Sequence, residues 1–136
     1  MITTSQRLEA VLDEMRGVFA RMDAEAVPQL AGAIIAARRI FLYGAGRTGL
    51  VLQAFAMRLT HLGLDAHYVG QLSAPPAASG DLFVVALAVG TLPTGDALAT
   101  SARAAGAKVA VISARPQRLS VPTSLCICRP RSWPIP

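Results

Sequence analysis

Six residues in the first third of the chain carry the pattern best suited to holding an anion: Gly44-Ala45-Gly46-Arg47-Thr48-Gly49. They spell G-x-G-x-x-G and stand between a short apolar run, Ile40–Tyr43, and a segment of helical periodicity that starts at Arg47. A loop of this kind hands a buried strand to a helix. The first amides of that helix have no helical partners, so they and the helix dipole attract negative charge. Gly44 and Gly46 let the backbone turn tightly and come close to a ligand. Arg47 adds a charge-assisted hydrogen bond and Thr48 a hydroxyl. The chemistry is phosphate binding, and the glycines alone do not say which phosphate.

A dinucleotide requires more: an acidic residue about 20 positions on, at the end of the second strand, for the ribose hydroxyls. Asp65 precedes the next strand, Ala66–Val69, and that strand runs into Gly70-Gln71. The nicotinamide-dinucleotide reading therefore fails. No G-x-x-x-x-G-K-[ST] occurs, which excludes a Walker A loop.

Acid–base chemistry needs a carboxylate or imidazole poised near the working pH. His61, late in the helix after the glycine loop, has two readings: it interacts with the helix C-terminus, or it completes the site of a neighbouring subunit. His67, inside a strand, reads as structural. Asp81 falls at a strand's start, the wrong edge for a ligand, and Asp96 reads as the start of a helix. Cys126 and Cys128 form C-x-C and share one face of a strand. Two thiols do not complete a zinc site, and the histidines lack ligand spacing, so buried reduced thiols and no metal are expected.

These residues must be carried by a single domain, since 136 residues bury one core and not two. At 53% hydrophobic and 15% charged the chain is too apolar for disorder. The net charge is +5, yet the basic residues are scattered and aromatics make up only 5%, which argues against nucleic acid. A modest positive field steers sugar phosphates equally well. No run of about 18 apolar residues occurs, so no membrane span is expected. The first residues lack the basic and apolar regions of a signal peptide, and a cytoplasmic location follows as an expectation.

The spacing of Leu8, Val11, Leu12, Met15, Val18, Phe19 and Met22 predicts a helix from Ser5 to Met22, with Ser5 or Thr4 as N-cap. Its apolar stripe packs on the domain's own core or on another subunit. A second helix starts at Asp23 and tolerates Pro28 near its beginning, so the N-terminal helices span 5–38. Strand and helix then alternate: Ile40–Tyr43, a helix from Arg47 to Gly63, Ala66–Val69, Leu82–Val89, a helix over 95–107, Lys108–Ser113 and Ser124–Cys128. Such alternation predicts an α/β fold, a doubly wound parallel sheet of about five strands flanked by helices, flavodoxin-like, with an N-terminal helical segment.

The stretches "GAGRTGLVLQAFAMRLTHLGLDAHYVG", "GDLFVVA" and "ARAAGAKVAVISARPQ" resemble the sugar isomerase (SIS) domain, and within it the 6-phospho-3-hexuloisomerases of the ribulose monophosphate pathway. The likeness runs from about Asp23 to Cys128. It implies a five-stranded parallel sheet, assembly as a homo-oligomer (dimer or tetramer), and conversion of 3-hexulose 6-phosphate to fructose 6-phosphate without metal or organic cofactor. It implies that Gly44, Gly46, Arg47 and Thr48 share the sugar phosphate with a second loop, and that a glutamate late in the chain acts as base. The family's second loop has the form S-G-S-G-[ET]-T. The corresponding residues here are Leu87, Ala88, Val89, Gly90, Thr91 and Leu92, so Leu87 and Val89 replace both serines and the backbone of 88–92 is left as the expected donor set. Past Cys128 the chain reads "RPRSWPIP", an irregular Pro-rich tail over 129–136 that matches nothing in the family and reads as a truncated or frame-shifted end. The expectation is an isomerase-type domain over 1–128, His61 being its acid–base candidate. The alternative is a non-catalytic, sugar-phosphate-binding regulatory domain.

Overall fold

The computed structural model describes residues 2–20, 22–87, 92–113 and the backbone of 125–128. Its elements are α1 (Thr4–Phe19), α2 (Ala26–Ala36), β1 (Ile40–Gly44), α3 (Gly46–His61), β2 (Ala66–Tyr68), β3 (Leu82–Leu87), α4 (Pro93–Ala104), β4 (Lys108–Ser113) and β5 (Leu125–Cys128). The five strands form one parallel sheet in the order β2-β1-β3-β4-β5. This is the doubly wound, flavodoxin-like arrangement that the alternation predicted.

Each face of the sheet buries its own cluster. Ile40, Leu42, Leu82, Val84 and Ala110 pack against Ile34 of α2 and Leu52, Ala56 and Leu59 of α3. The alternate positions Phe41, Phe83, Val85, Val109 and Val111 pack against Ala99 and Ala102 of α4. Period-two alternation with both faces covered is why β3 reads as an unbroken apolar run. Glycines end the two crossover helices. Gly63 (φ +83°) follows α3, with its N–H on the Thr60 carbonyl and that of Leu64 on Leu59. Gly106 (φ +91°) does the same after α4, bonding Arg103 while Ala107 bonds Ala102. Both are left-handed caps of the Schellman type, a conformation glycine adopts without steric cost.

The N-terminal segment differs from expectation in three ways. Thr3, not Thr4 or Ser5, caps α1, because only Thr3 has a glutamine three residues on: its Oγ1 accepts from Gln6 N at 3.3 Å and Gln6 Oε1 accepts from Thr3 N at 2.9 Å. Asp23 does not cap α2; its Oδ1 accepts from Glu25 N at 3.0 Å in a turn, and the helix starts at Ala26. α2 ends at Ala36 rather than 38, where the chain leaves the helix so that Arg38 and Arg39 reach Asp81. At the other crossover α4 begins at Pro93, two residues earlier than expected, since proline suits a first helical position. α1 buries none of its residues, so its apolar stripe does not belong to the domain's own core. No helix among the described residues is long and apolar enough to cross a membrane.

Candidate sugar-phosphate site

In a doubly wound sheet the ligand crevice opens where consecutive connections leave in opposite directions, beyond the carboxyl ends of the strands. Here that point lies between β1 and β3. They are parallel neighbours with Gly44 opposite Ala86. From β1 the chain crosses to α3 on one face, and from β3 it passes to α4 on the other. The G-x-G-x-x-G loop sits at this edge.

Ala45 is extended (φ −101°, ψ 153°) and offers α3 no side-chain cap, so the amides of Gly46, Arg47 and Thr48 have no partner among the described residues. Gly46 starts the helix at φ +54°, which favours glycine. Gly44 and Gly49 touch: a Cβ on Gly44 would stand 3.1 Å from Gly49 N, and one on Gly49 would overlap the Gly44 carbonyl oxygen. The first turn of α3 is thereby pressed onto the end of β1, amides outward. Arg47 is exposed and Thr48 half-buried. The arrangement offers a cluster of N–H donors, a guanidinium and a hydroxyl to an anion.

A residue from the neighbouring strand completes this loop. Tyr68, at the end of β2, donates its hydroxyl to the Gly44 carbonyl at 2.7 Å, and its ring stacks on Tyr43 with centroids 6.5 Å apart. No local pattern marks it; it became visible only once β2 was placed beside β1. Tyr68→Phe leaves the buried Gly44 carbonyl short of a partner and is expected to cost about 1–2 kcal/mol. Urea denaturation of the variant checks this, and an unchanged midpoint would remove Tyr68 from the loop's support.

The second loop is only partly in view. Ala88, Val89, Gly90 and Thr91 lie outside the described residues. Their flanks are informative. Leu87 is 2% exposed and packed toward α4, so β3 ends on a bulky core residue rather than on a polar side chain. Ser113, at the end of β4, donates Oγ–H to the Leu87 carbonyl at 2.9 Å and ties down the last residue before the loop. Leu92 is the N-cap residue of α4, and its side chain packs against the core; it carries no polar group toward a ligand.

The remaining candidates fall elsewhere. His61 is the last residue of α3, about 22 Å along the helix axis from Gly46, so a single chain does not bring it to the loop. Asp65 and His67 pair with each other at 2.8 Å near the start of β2, and the His67 ring stacks on Phe41. No acid stands after β2 for a ribose. Asp81 precedes β3 at the opposite edge, in ion pairs with Arg38 and Arg39. Asp96 lies in the first turn of α4, inside the helix rather than at its cap. A cavity of about 460 Å³ between the 70–77 loop and α4, floored by Phe41 and Phe83, contains none of the expected residues.

A relative from Mycobacterium gastri named 3-hexulose-6-phosphate isomerase is 40% identical over 112 residues, covering 82% of this chain and 56% of the relative. One of the same name from Bacillus subtilis is 35% identical, covering 84% and 62%. The fold is that of the sugar isomerase (SIS) domains: the SIS domain of an RpiR transcription factor from Sphaerobacter thermophilus matches at a TM-score of 0.72 and 15% identity over 95% of this chain and 76% of that one. No protein-family profile matches this chain. The SIS fold is shared with the Vibrio vulnificus NanR protein, solved with ManNAc-6P, at a TM-score of 0.77 and 18% identity over 91% of this chain and 49% of that one. The chain thus spans about three-fifths of the length of the curated isomerases it matches.

Proposed function

We propose that this SIS domain binds a ketohexose 6-phosphate and interconverts 3-hexulose 6-phosphate and fructose 6-phosphate as a cytoplasmic homo-oligomer, dimer or tetramer. The observation that carries the reading is the uncapped start of α3 in the β1–β3 crevice, with Arg47 and Thr48 beside three amides that have no partner among the described residues. The phosphate rests there, and backbone donors of 88–92, the segment that follows β3 in the chain, share it. Moving the carbonyl from C3 to C2 removes the C2 proton, passes through an enediol and returns a proton to C3. Phosphate binding supplies orientation remote from the reacting carbons, and donors set in advance hold the developing oxyanion.

The coupled conversion of 3-hexulose 6-phosphate to fructose 6-phosphate tests catalysis directly; a rate equal to background overturns it. Binding has its own test. Fructose 6-phosphate is expected to raise the melting temperature saturably, and Arg47→Ala to weaken that binding about 10- to 100-fold through loss of a charge-assisted hydrogen bond. An undiminished response in the variant would move the phosphate elsewhere.

One observation favours a second reading, a non-catalytic sugar-phosphate-binding domain. Leu87 fills with buried hydrocarbon a position where the family has a serine, and no described carboxylate other than Asp96 lies near the crevice. This reading predicts the same stabilisation by fructose 6-phosphate with no turnover.

A further inference from the structure

Two helix faces are apolar, exposed and covered by nothing else among the described residues. On α1, Leu8, Val11, Leu12, Met15 and Phe19 recur at helical spacing and are 43–65% exposed. A lone 16-residue helix is marginal in water, and its stability depends on packing such a face. On α3, the side turned from the sheet carries Leu50 and Val51, each 66% exposed, and Met57 at 52%, with Leu62 just beyond at 73%. The sheet side of the same helix is fully engaged through Leu52, Ala56 and Leu59, so this outer stripe is a second, separate surface.

The charges beside the two stripes are complementary. α1 contains Glu9, Asp13 and Glu14 against Arg7 and Arg16; Arg16 pairs with Asp13 at 2.6 Å and lies 4.0 Å from Glu9, and Glu14 has no ion-pair partner among the described residues. α3 contains Arg47 and Arg58 and no acid, and Arg58 likewise has no ion-pair partner there. Glu14 stands next to Met15, and Arg58 next to Met57. One helix therefore offers an apolar stripe with a free acid, the other an apolar stripe with a free base.

We propose that α1 of one copy packs along α3 of a second copy, reciprocally, with Glu14 set against Arg58 at each of two equivalent contacts. Two-fold symmetry makes every such contact occur twice, and charge complementarity sets the pairing. The proposal names the surfaces of the homo-oligomer in the preceding reading and rests on that part of it alone.

Sedimentation velocity on the full chain tests it, using Leu12→Glu on α1 and Met57→Glu on α3. Neither side chain belongs to the buried core, so both variants are expected to keep their circular dichroism. The native chain associates, and each variant alone runs as a monomer. An equimolar mixture of the two regains dimer, because the heterodimer keeps one contact in which both stripes are unaltered. Glu14→Arg and Arg58→Glu each weaken association about 3- to 10-fold, and the double variant recovers it. A native chain that stays monomeric up to about 100 µM overturns both the oligomer and this pairing. An oligomer indifferent to either glutamate substitution overturns the pairing only. A mixture that fails to recover points to like helices packing on each other and also overturns it. Fructose 6-phosphate binding by the monomeric variants reports the phosphate loop independently.

Discussion

Asp81→Ala is expected to lower the stability of the domain by about 3–5 kcal/mol, the scale set by removing one partner of a buried ion pair. Against a total stability of about 5–15 kcal/mol for a domain, this leaves much of the chain unfolded at 37 °C. The Asp81 side chain is fully buried and accepts from Arg39 Nη2 at 2.9 Å and Nε at 3.3 Å, from Arg38 Nη2 at 3.3 Å and from the Ala78 amide at 2.8 Å. Arg39 is itself only 17% exposed, so alanine would strand a largely buried guanidinium. The backbone adds to the effect: Lys108 N bonds the Asp81 carbonyl and Leu82 N that of Arg39, which joins the starts of β1, β3 and β4.

The same group sets an acid limb. Burial pushes the Asp81 carboxyl up, but its hydrogen bonds to Arg39 and Ala78 and the charges of Arg39 and Arg38 outweigh that and hold it below the ordinary carboxylate range. A carboxylate whose native pKa lies below its unfolded value adds stability that is complete above the unfolded value of about 3.9, and is lost as pH falls through the lower native one. Stability should therefore be flat in this group near neutrality and fall in acid, and Asp81→Asn should remove that portion of the slope. Guanidinium denaturation from pH 7 down to 3 measures both effects. A loss under about 1 kcal/mol at pH 7 would mean that the pair contributes little. Because Asp81 lies at the edge remote from the glycine loop, the folded fraction should bind fructose 6-phosphate with native affinity.

Gly49→Ala should strike stability and binding together. A methyl at this position overlaps the Gly44 carbonyl oxygen and comes within 2.8 Å of the Tyr68 hydroxyl. A backbone oxygen cannot swing aside as the end of a flexible side chain can, so the first turn of α3 must lift from β1. Overpacking of this kind costs about 1–3 kcal/mol and occasionally more. Lifting that turn also moves the amides of Gly46, Arg47 and Thr48 from their common direction, and thermal stabilisation by fructose 6-phosphate should be lost. Gly32→Ala is the matched control. It lies in the middle of α2 with nothing within 4 Å of a new Cβ, and there alanine should stabilise by up to about 1 kcal/mol through helix propensity. Differential scanning calorimetry with and without ligand separates the cases. A Gly49→Ala variant that melts and binds like the native chain would show that the glycine is not needed for close approach.

The elements that depend on neighbours a few residues away were legible in the amino-acid order. Alternation of short apolar runs with helical stripes specified five parallel strands, because side-chain period follows directly from backbone geometry. Gly63 and Gly106 marked helix ends, and Gly44, Gly46 and Gly49 marked the tight turn from β1 into α3, because each acts on its own turn. Tertiary structure alone decided what depends on long-range contact. Tyr68 reaches Gly44 across 24 positions, and Arg39 reaches Asp81 across 42. His61 ends α3, as its place late in that helix implied, and the stripe of α1 faced solvent where a core was one of two expectations. The reason is the same throughout: periodicity tells which side of an element is apolar, and only the packed chain tells what that side meets.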